Sequence, residues 1–265
     1  MEDSHLLDDG LLMDDLGPWS EDKYKLVGLY VRLFATGMKF KWEKRVYIDL
    51  YSGAGIGKVR GRLVMGSPLI ALTAADPFDL YIFCEVDEKR LGVLRQRAER
   101  IAQARRIEYV AGDCNAVVDK ICSLIPRASP GNKVLSLCFV DPYDIGIKFS
   151  TIAKLSTRFI DFLVLLAVYM VANRNLGYYE RPENKKVDEF LGLTNWRELW
   201  EAGKHSVRFP EFLARQYSKR MTDLDYIDQP LHNMKKVRNE ERIRLYTDSR
   251  CSRAIKRHTI FGVKC

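Results

Sequence analysis

Five short apolar runs, each closed by a polar or glycine-containing turn, set the strongest limit on what this chain can fold into. They are Val46–Tyr51, Leu80–Glu85, Ile107–Ala111, Lys133–Asp141 and Ile160–Tyr169, and stretches of helical periodicity separate them. Apolar runs of this kind, alternating with helices, bury both their faces in a parallel sheet covered by helices on each side. The spacing predicts helices over Trp19–Lys39, Ser67–Ala75, Glu88–Ala104, Asn115–Ile125 and Ser150–Ser156. Ser20 is expected to cap the first of these, with Glu21 and Asp22 in the opening turn. Between the first strand and the second helix a basic loop is expected.

After Asn173 the alternation fades. Helical material containing Trp196 and Trp200 reads as an insert over about 173–221, and Tyr226–Val237 with Arg242–Asp248 reads as an antiparallel edge hairpin. The sequence therefore predicts an α/β, doubly wound, mostly parallel sheet with an antiparallel edge and a C-terminal helical insert. Residues 1–16 are expected to be an acidic flexible tail, and 17–265 a single domain. The longest apolar stretch, Phe162–Ala172, is about half the roughly 20 residues that a spanning helix needs, so no membrane association is expected. The acidic start lacks the positive n-region of a signal peptide, and the expected location is the cytoplasm.

Charge is distributed unevenly. The chain carries a net +8, yet the first 22 residues hold eight acids and no Lys or Arg, which leaves +16 on the remaining 243. A body this basic attracts phosphates, so nucleic acid, DNA or RNA, is an expected partner. The six cysteines, at 84, 114, 122, 138, 251 and 265, form no CxxC pair and no Cys/His zinc spacing; four lie in or beside apolar runs and are read as buried hydrophobes. No metal site is expected, and His5, His205, His232 and His258 are read as surface residues.

In an open parallel sheet, ligands bind outside the carboxyl ends of the strands. The first strand runs into Asp49-Leu-Tyr-Ser52-Gly53-Ala-Gly55-Ile-Gly57, small residues where the backbone turns sharply and approaches a ligand closely. This is not a phosphate loop, because GxxxxGK[ST] is absent. Nor is it the dinucleotide GxGxxG, because Lys58 stands at the position of the third glycine. The second strand ends in Glu85-Val-Asp87, a carboxylate placed to accept from two ribose hydroxyls. The third ends in Gly112-Asp113-Cys114, where Asp113 can accept from an adenine amine and the next backbone amide can reach a ring nitrogen. The ordered set points to an adenosine-like ligand.

These motifs resemble, in order and spacing, those of the class I S-adenosylmethionine-dependent methyltransferases, over about Val46–Tyr169. A narrower likeness adds Gly17-Pro-Trp19-Ser-Glu-Asp-Lys23-Tyr-Lys25-Leu with Tyr30, Phe83-Cys-Glu85-Val-Asp87, Gly112-Asp113-Cys-Asn115 and Phe139-Val-Asp141-Pro142-Tyr143. In these the chain resembles the three-Cys-motif partner (TcmP) proteins, named for a companion protein that carries three cysteines. Ser249-Arg250 and Ala254-Ile255-Lys256 also fit that pattern, whereas Arg257–Cys265 does not.

The resemblance implies a Rossmann-like fold and S-adenosyl-L-methionine as cofactor, held by Asp49, Ser52, Gly53, Gly55, Glu85, Asp87, Asp113 and Cys114. Lys23 and Lys25 are expected to meet the carboxylate of its methionine part, and Trp19 to close over the pocket. Asp141-Pro142-Tyr143 resembles the [DNS]PP[YFW] motif of amino-methyltransferases without its second proline. It implies an acidic side chain and a proline carbonyl that hold an acceptor amine, beside a stacking ring. The expected activity is methylation of a nitrogen in a nucleic-acid base. The alternatives are a partner or scaffold protein that works with a three-cysteine-motif companion, and a small-molecule methyltransferase.

Overall fold

The computed structural model describes residues 8–166, 168, 176–230 and 242–250. The fold is α/β, with a mostly parallel seven-stranded sheet. The chain divides into two compact units, Met1–Phe139 and Val140–Cys265.

In the first unit, β1 (Asp14–Leu16) precedes α1 (Ser20–Met38), which leads into β2 (Lys44–Asp49), β3 (Ile56–Val59), β4 (Arg62–Met65) and α2 (Ser67–Leu72). There follow β5 (Leu80–Glu85), α3 (Glu88–Ile101), β6 (Ile107–Ala111), α4 (Val118–Leu124) and β7 (Val134–Val140). The parallel strands run in the order β6-β5-β2-β7, with Asp49 opposite Phe83 and Phe139. All of β5 and β7, and β2 after Lys44, are buried, as a sheet covered on both faces requires. Tyr47, Phe78, Tyr81 and Phe83 pack with centroids 5.5 to 6.4 Å apart on one face. On α1, Val27, Val31, Phe34, Ala35 and Met38 bury one stripe at helical spacing.

Three expectations need correction here. Ser20 is not the cap of α1 but its first helical residue, buried; Trp19 occupies the N-cap position without a side-chain cap. The Trp19 ring folds back over Gly17, so tightly that a Cβ on that glycine would stand 2.1 Å from it. The expected basic loop is a hairpin: β3 and β4 pair antiparallel, turning at Arg60 and Gly61, both at positive φ as a two-residue hairpin turn demands. Finally, residues 8–16 are not a flexible tail. β1 pairs in parallel with β3, Asp14 opposite Gly57 and Leu16 opposite Val59, and Leu16 packs where a Cβ on Gly57 would stand.

The second unit holds α5 (Phe149–Leu155), β8 (Ile160–Leu166), α6 (Leu176–Tyr179), α7 (Lys186–Leu191), α8 (Trp196–Gly203), α9 (Phe209–Asp223), β9 (Tyr226–Pro230) and β10 (Arg242–Asp248). β10 runs antiparallel to both β8 and β9, giving the expected antiparallel edge. The helical insert builds an aromatic core of its own, with Trp196, Trp200, Phe209 and Phe212 in mutual contact. Arg197 fastens it by donating to Asp188 and to the carbonyls of Tyr179, Glu180, Arg181 and Asn184. The hairpin turn, the segment 169–175 and the end 251–265, with His5, His232, His258, Cys251 and Cys265, lie outside the described residues. Among those described, no helix is long and apolar enough to cross a membrane, and His205 is exposed.

Candidate functional site

In the first unit, the carboxyl ends of β2, β5 and β6 are laced into one rim. Asp49, with no exposed surface, ends β2 and accepts from the Tyr51 amide at 3.2 Å and the Tyr47 hydroxyl at 3.3 Å. Burial, with Asp49 alongside, pushes the Tyr47 hydroxyl well above its ordinary pKa, so it stays a donor. Asp49 thereby fixes the first residue of the glycine turn. Ser52 next binds the turn to β5, its amide and its Oγ both donating to the Cys84 carbonyl, at 3.0 and 3.1 Å.

Gly53 and Gly55 adopt φ of +61° and +86°, the left-handed region that favours glycine. The Gly53 amide donates to Glu85 Oε2 at 2.8 Å, and the Asp87 amide donates to Glu85 Oε1 at 3.0 Å. Glu85 is 7% exposed. Two backbone donors hold this carboxylate at the strand end, and each oxygen has further lone pairs. Gly55 has a different reason to be glycine: a Cβ there would stand 2.9 Å from Leu94 Cδ1 and 3.1 Å from Leu69 Cγ. Its carbonyl accepts from the Gly66 amide at 2.8 Å, which pins the turn to the start of α2.

The remaining expected residues occupy more varied surroundings. Asp87 caps α3, accepting from the amides of Lys89 and Arg90 at 2.8 and 3.2 Å. At the end of β6, Gly112 has φ +128° and its amide donates to the Glu85 carbonyl; exposed Asp113 accepts from the Asn115 amide at 3.0 Å. Cys114 is buried, and burial pushes its thiol up to about 11, which leaves it a neutral small hydrophobe. Lys23 is buried in α1 with Nζ 4.8 Å from the centre of the Tyr24 ring, whereas Lys25 is 76% exposed, 3.9 Å from Asp22.

The leader contributes residues that sequence reasoning did not place. Arg97 of α3 is only 3% exposed; it donates to the Ala54 carbonyl inside the glycine turn at 2.7 Å and grips both oxygens of Asp9 at 2.8 Å. The Arg97 bonds hold the Asp9 carboxyl down at about 2. Asp14 pairs with Arg90 at 2.9 Å, and its Oδ2 lies 3.4 Å from where a Cβ on Gly53 would stand. The only sequence signals were an acidic leader and a basic α3; nothing in either pattern says that they pair.

In the second unit, the loop after β7 carries Asp141, half-buried, Pro142, buried, and Tyr143, 76% exposed. Ile145 and Ile147 anchor the loop in the core, and Asp144 forms a 2.5 Å ion pair with Lys186 of the insert. Burial, with Asp144 nearby, raises the Tyr179 hydroxyl above its usual value. Among the described residues, no group of three His, Cys, Asp or Glu side chains could hold a metal ion.

No protein-family model matches the sequence, and no curated protein does. Solved structures do. An O-methyltransferase from Streptomyces achromogenes, in complex with SAM, is 11% identical and superposes with a TM-score of 0.50, covering 87% of this chain and 86% of its own. The fold is methyltransferase-like. At that identity the likeness is one of fold alone. A Legionella pneumophila protein is 14% identical over 83% of this chain and 81% of its own, with a TM-score of 0.49. An O-methyltransferase from Bacillus cereus in complex with SAH is 12% identical over 89% and 83%, at 0.48.

Proposed function

We propose that this protein is an S-adenosylmethionine-dependent methyltransferase that acts on a nitrogen of a nucleic-acid base. The observation that carries the cofactor assignment is buried Glu85, held by the Gly53 and Asp87 amides at the end of β5 beside two positive-φ glycines. A fixed carboxylate with lone pairs to spare fits a vicinal diol, and a turn free of side chains fits close approach of an adenosine-type ligand. Asp113, exposed at the end of β6, fits an acceptor for a base amine. S-adenosylmethionine, when bound, supplies a methyl group activated on a sulfonium.

The chain's own task is then to present an acceptor and manage its proton. Asp141 is proposed to accept a hydrogen bond from the acceptor amine, raising electron density on that nitrogen, and the Pro142 carbonyl to take a second. The ring of Tyr143, 76% exposed, suits stacking on a flat base. The nucleic-acid reading is supported by the chain's net charge of +8.

The test is transfer of labelled methyl to RNA and to DNA by purified protein. Wild type is expected to transfer, and Asp141→Ala to lose about 100-fold or more, the scale of a positioned proton-handling group. Unchanged transfer by the variant would remove Asp141 from the reaction. Transfer that requires an added three-cysteine-motif protein would support the alternative reading, a partner protein of TcmP type.

A further inference from the structure

The parallel strands of the first unit bring their amino ends together along one edge of the sheet, opposite the edge that carries the glycine turn and Glu85. With strands about 4.8 Å apart, the edge from β6 to β7 is about 14 Å long, and the length of β2 sets it roughly 17 Å from the glycine turn. Lys44 opens β2, Lys133 precedes β7 and Arg105 lies just before β6; all three are exposed. The Lys44 amide donates to the Lys133 carbonyl at 3.0 Å, which fixes two of these residues side by side. The turn between α1 and β2 adds exposed Lys41 and Phe40, whose side chain is 92% exposed.

The cations of this unit divide into two sets. Lys58, Arg62, Arg90 and Arg97 are matched by Asp8, Glu21, Asp14 and Asp9, at 2.8 to 3.3 Å. Lys41, Lys44, Arg105 and Lys133 make no ion pair among the described residues. The acids beside them are held by other donors. Glu43 accepts from the Lys133 amide at 2.7 Å, Asp79 from the Arg45 amide at 2.7 Å, and Asp76 from Lys39 and Thr36.

We infer that this amino-end rim grips the backbone of a single-stranded nucleic acid, its cations on successive phosphates and the Phe40 ring stacked on an unpaired base. The inference rests on the nucleic-acid reading above and adds a holding surface that the cofactor rim does not supply. Unpaired cations in a row suit any polyanion, because each phosphate they neutralise releases a counterion. The ring narrows the class. An apolar ring left in water among cations gains by covering its face, and an unpaired base offers a flat face on the same polymer as the phosphates. A duplex keeps its base faces stacked on one another, so it would meet the cations and not the ring.

The experiment is fluorescence anisotropy of the full chain with a labelled oligouridylate and with an RNA duplex of the same length, across about 50 to 200 mM salt. Phe40→Ala is expected to weaken the single strand about tenfold and to leave the duplex within about twofold of wild type. The triple variant Lys44→Gln/Arg105→Gln/Lys133→Gln should weaken both by about tenfold or more, and lower the single-strand salt slope by about two. Lys58→Gln/Arg62→Gln removes cations already matched by Asp8 and Glu21, and should change neither by more than about twofold. Melting temperature and S-adenosylhomocysteine affinity should stay at wild-type values in the rim variants. Rim variants that bind like wild type, or that weaken no more than the Lys58/Arg62 pair, overturn the rim and leave the nucleic-acid reading standing. Equal loss of duplex and single strand in Phe40→Ala overturns the single-strand assignment. Wild type that binds neither RNA overturns both readings, and binding instead to vesicles of phosphatidylserine and phosphatidylcholine would make the rim a membrane face.

Discussion

Asp161 of β8 is 7% exposed, and its Oδ1 accepts the Asp248 amide at 2.9 Å. Burial pushes its carboxyl from 3.8 up to about 7; the Asp248 hydrogen bond pulls the other way, and the Asp248 charge adds to the rise. Asp248 itself, buried, forms an ion pair with Arg250, which also donates to the Ser156 and Arg158 carbonyls. In the unfolded chain Asp161 releases its proton near pH 4, whereas in the folded protein it keeps it to about pH 7. Over that window the native state binds more protons, so stability falls as pH rises. The displacement of about three units corresponds to about 4 kcal/mol, absent below pH 4 and fully expressed above pH 7. Asp161→Asn keeps an oxygen for the Asp248 amide and removes the charge. It should therefore match wild type near pH 4 and exceed it by up to about 4 kcal/mol at pH 8. Urea unfolding of both proteins at pH 5 and pH 8 reads this as a gap in midpoint that widens with pH, and titrating groups remote from Asp161 cancel in the difference. A gap that is the same at both pH values would refute the reasoning.

Two further outcomes follow from the glycine turn. Gly55→Ala forces a side chain into left-handed backbone and against Leu94 and Leu69, and should cost about 2 to 4 kcal/mol in thermal or denaturant unfolding, together with loss of adenosine binding. Arg97→Met strands both the Asp9 carboxylate and the Ala54 carbonyl, and should cost about 3 kcal/mol. It should also speed amide exchange across residues 8–16; protection equal to wild type would mean that Asp9 does not hold the leader.

Much of the fold was legible because its strands are unambiguous. β5, β7 and β8 are buried along their whole length, and a parallel sheet writes that burial as a continuous apolar run. Asp49, the glycine turn, Glu85 and Gly112-Asp113 fall at strand ends, where the topology brings them together; hence sequence order alone located the rim. What could not be read was long-range pairing. Asp9 and Arg97 are 88 residues apart, and an acidic leader with no apolar periodicity carries no mark of its partner. β3 was missed because Ile56-Gly-Lys-Val59 is short and holds a glycine and a lysine, and its hairpin turn uses Arg60, a residue uncommon at positive φ. Ser20 looks like a cap by residue type, but Trp19 already has helical backbone angles, which moves the cap one residue earlier.

The central claim is that the rim formed by Gly53, Glu85 and Asp113 binds the adenosine part of the cofactor. It is tested most directly by titrating S-adenosylhomocysteine into wild type and Glu85→Gln, with melting temperature as the check on folding. Gln leaves one acceptor oxygen where a ribose diol needs two and turns an N–H toward one of the two backbone donors, so the account predicts saturable binding by wild type and, in the variant, a loss of about tenfold or more with a lower melting temperature that still leaves it folded during the titration. Equal affinity in the two proteins, or no binding by folded wild type, would contradict it.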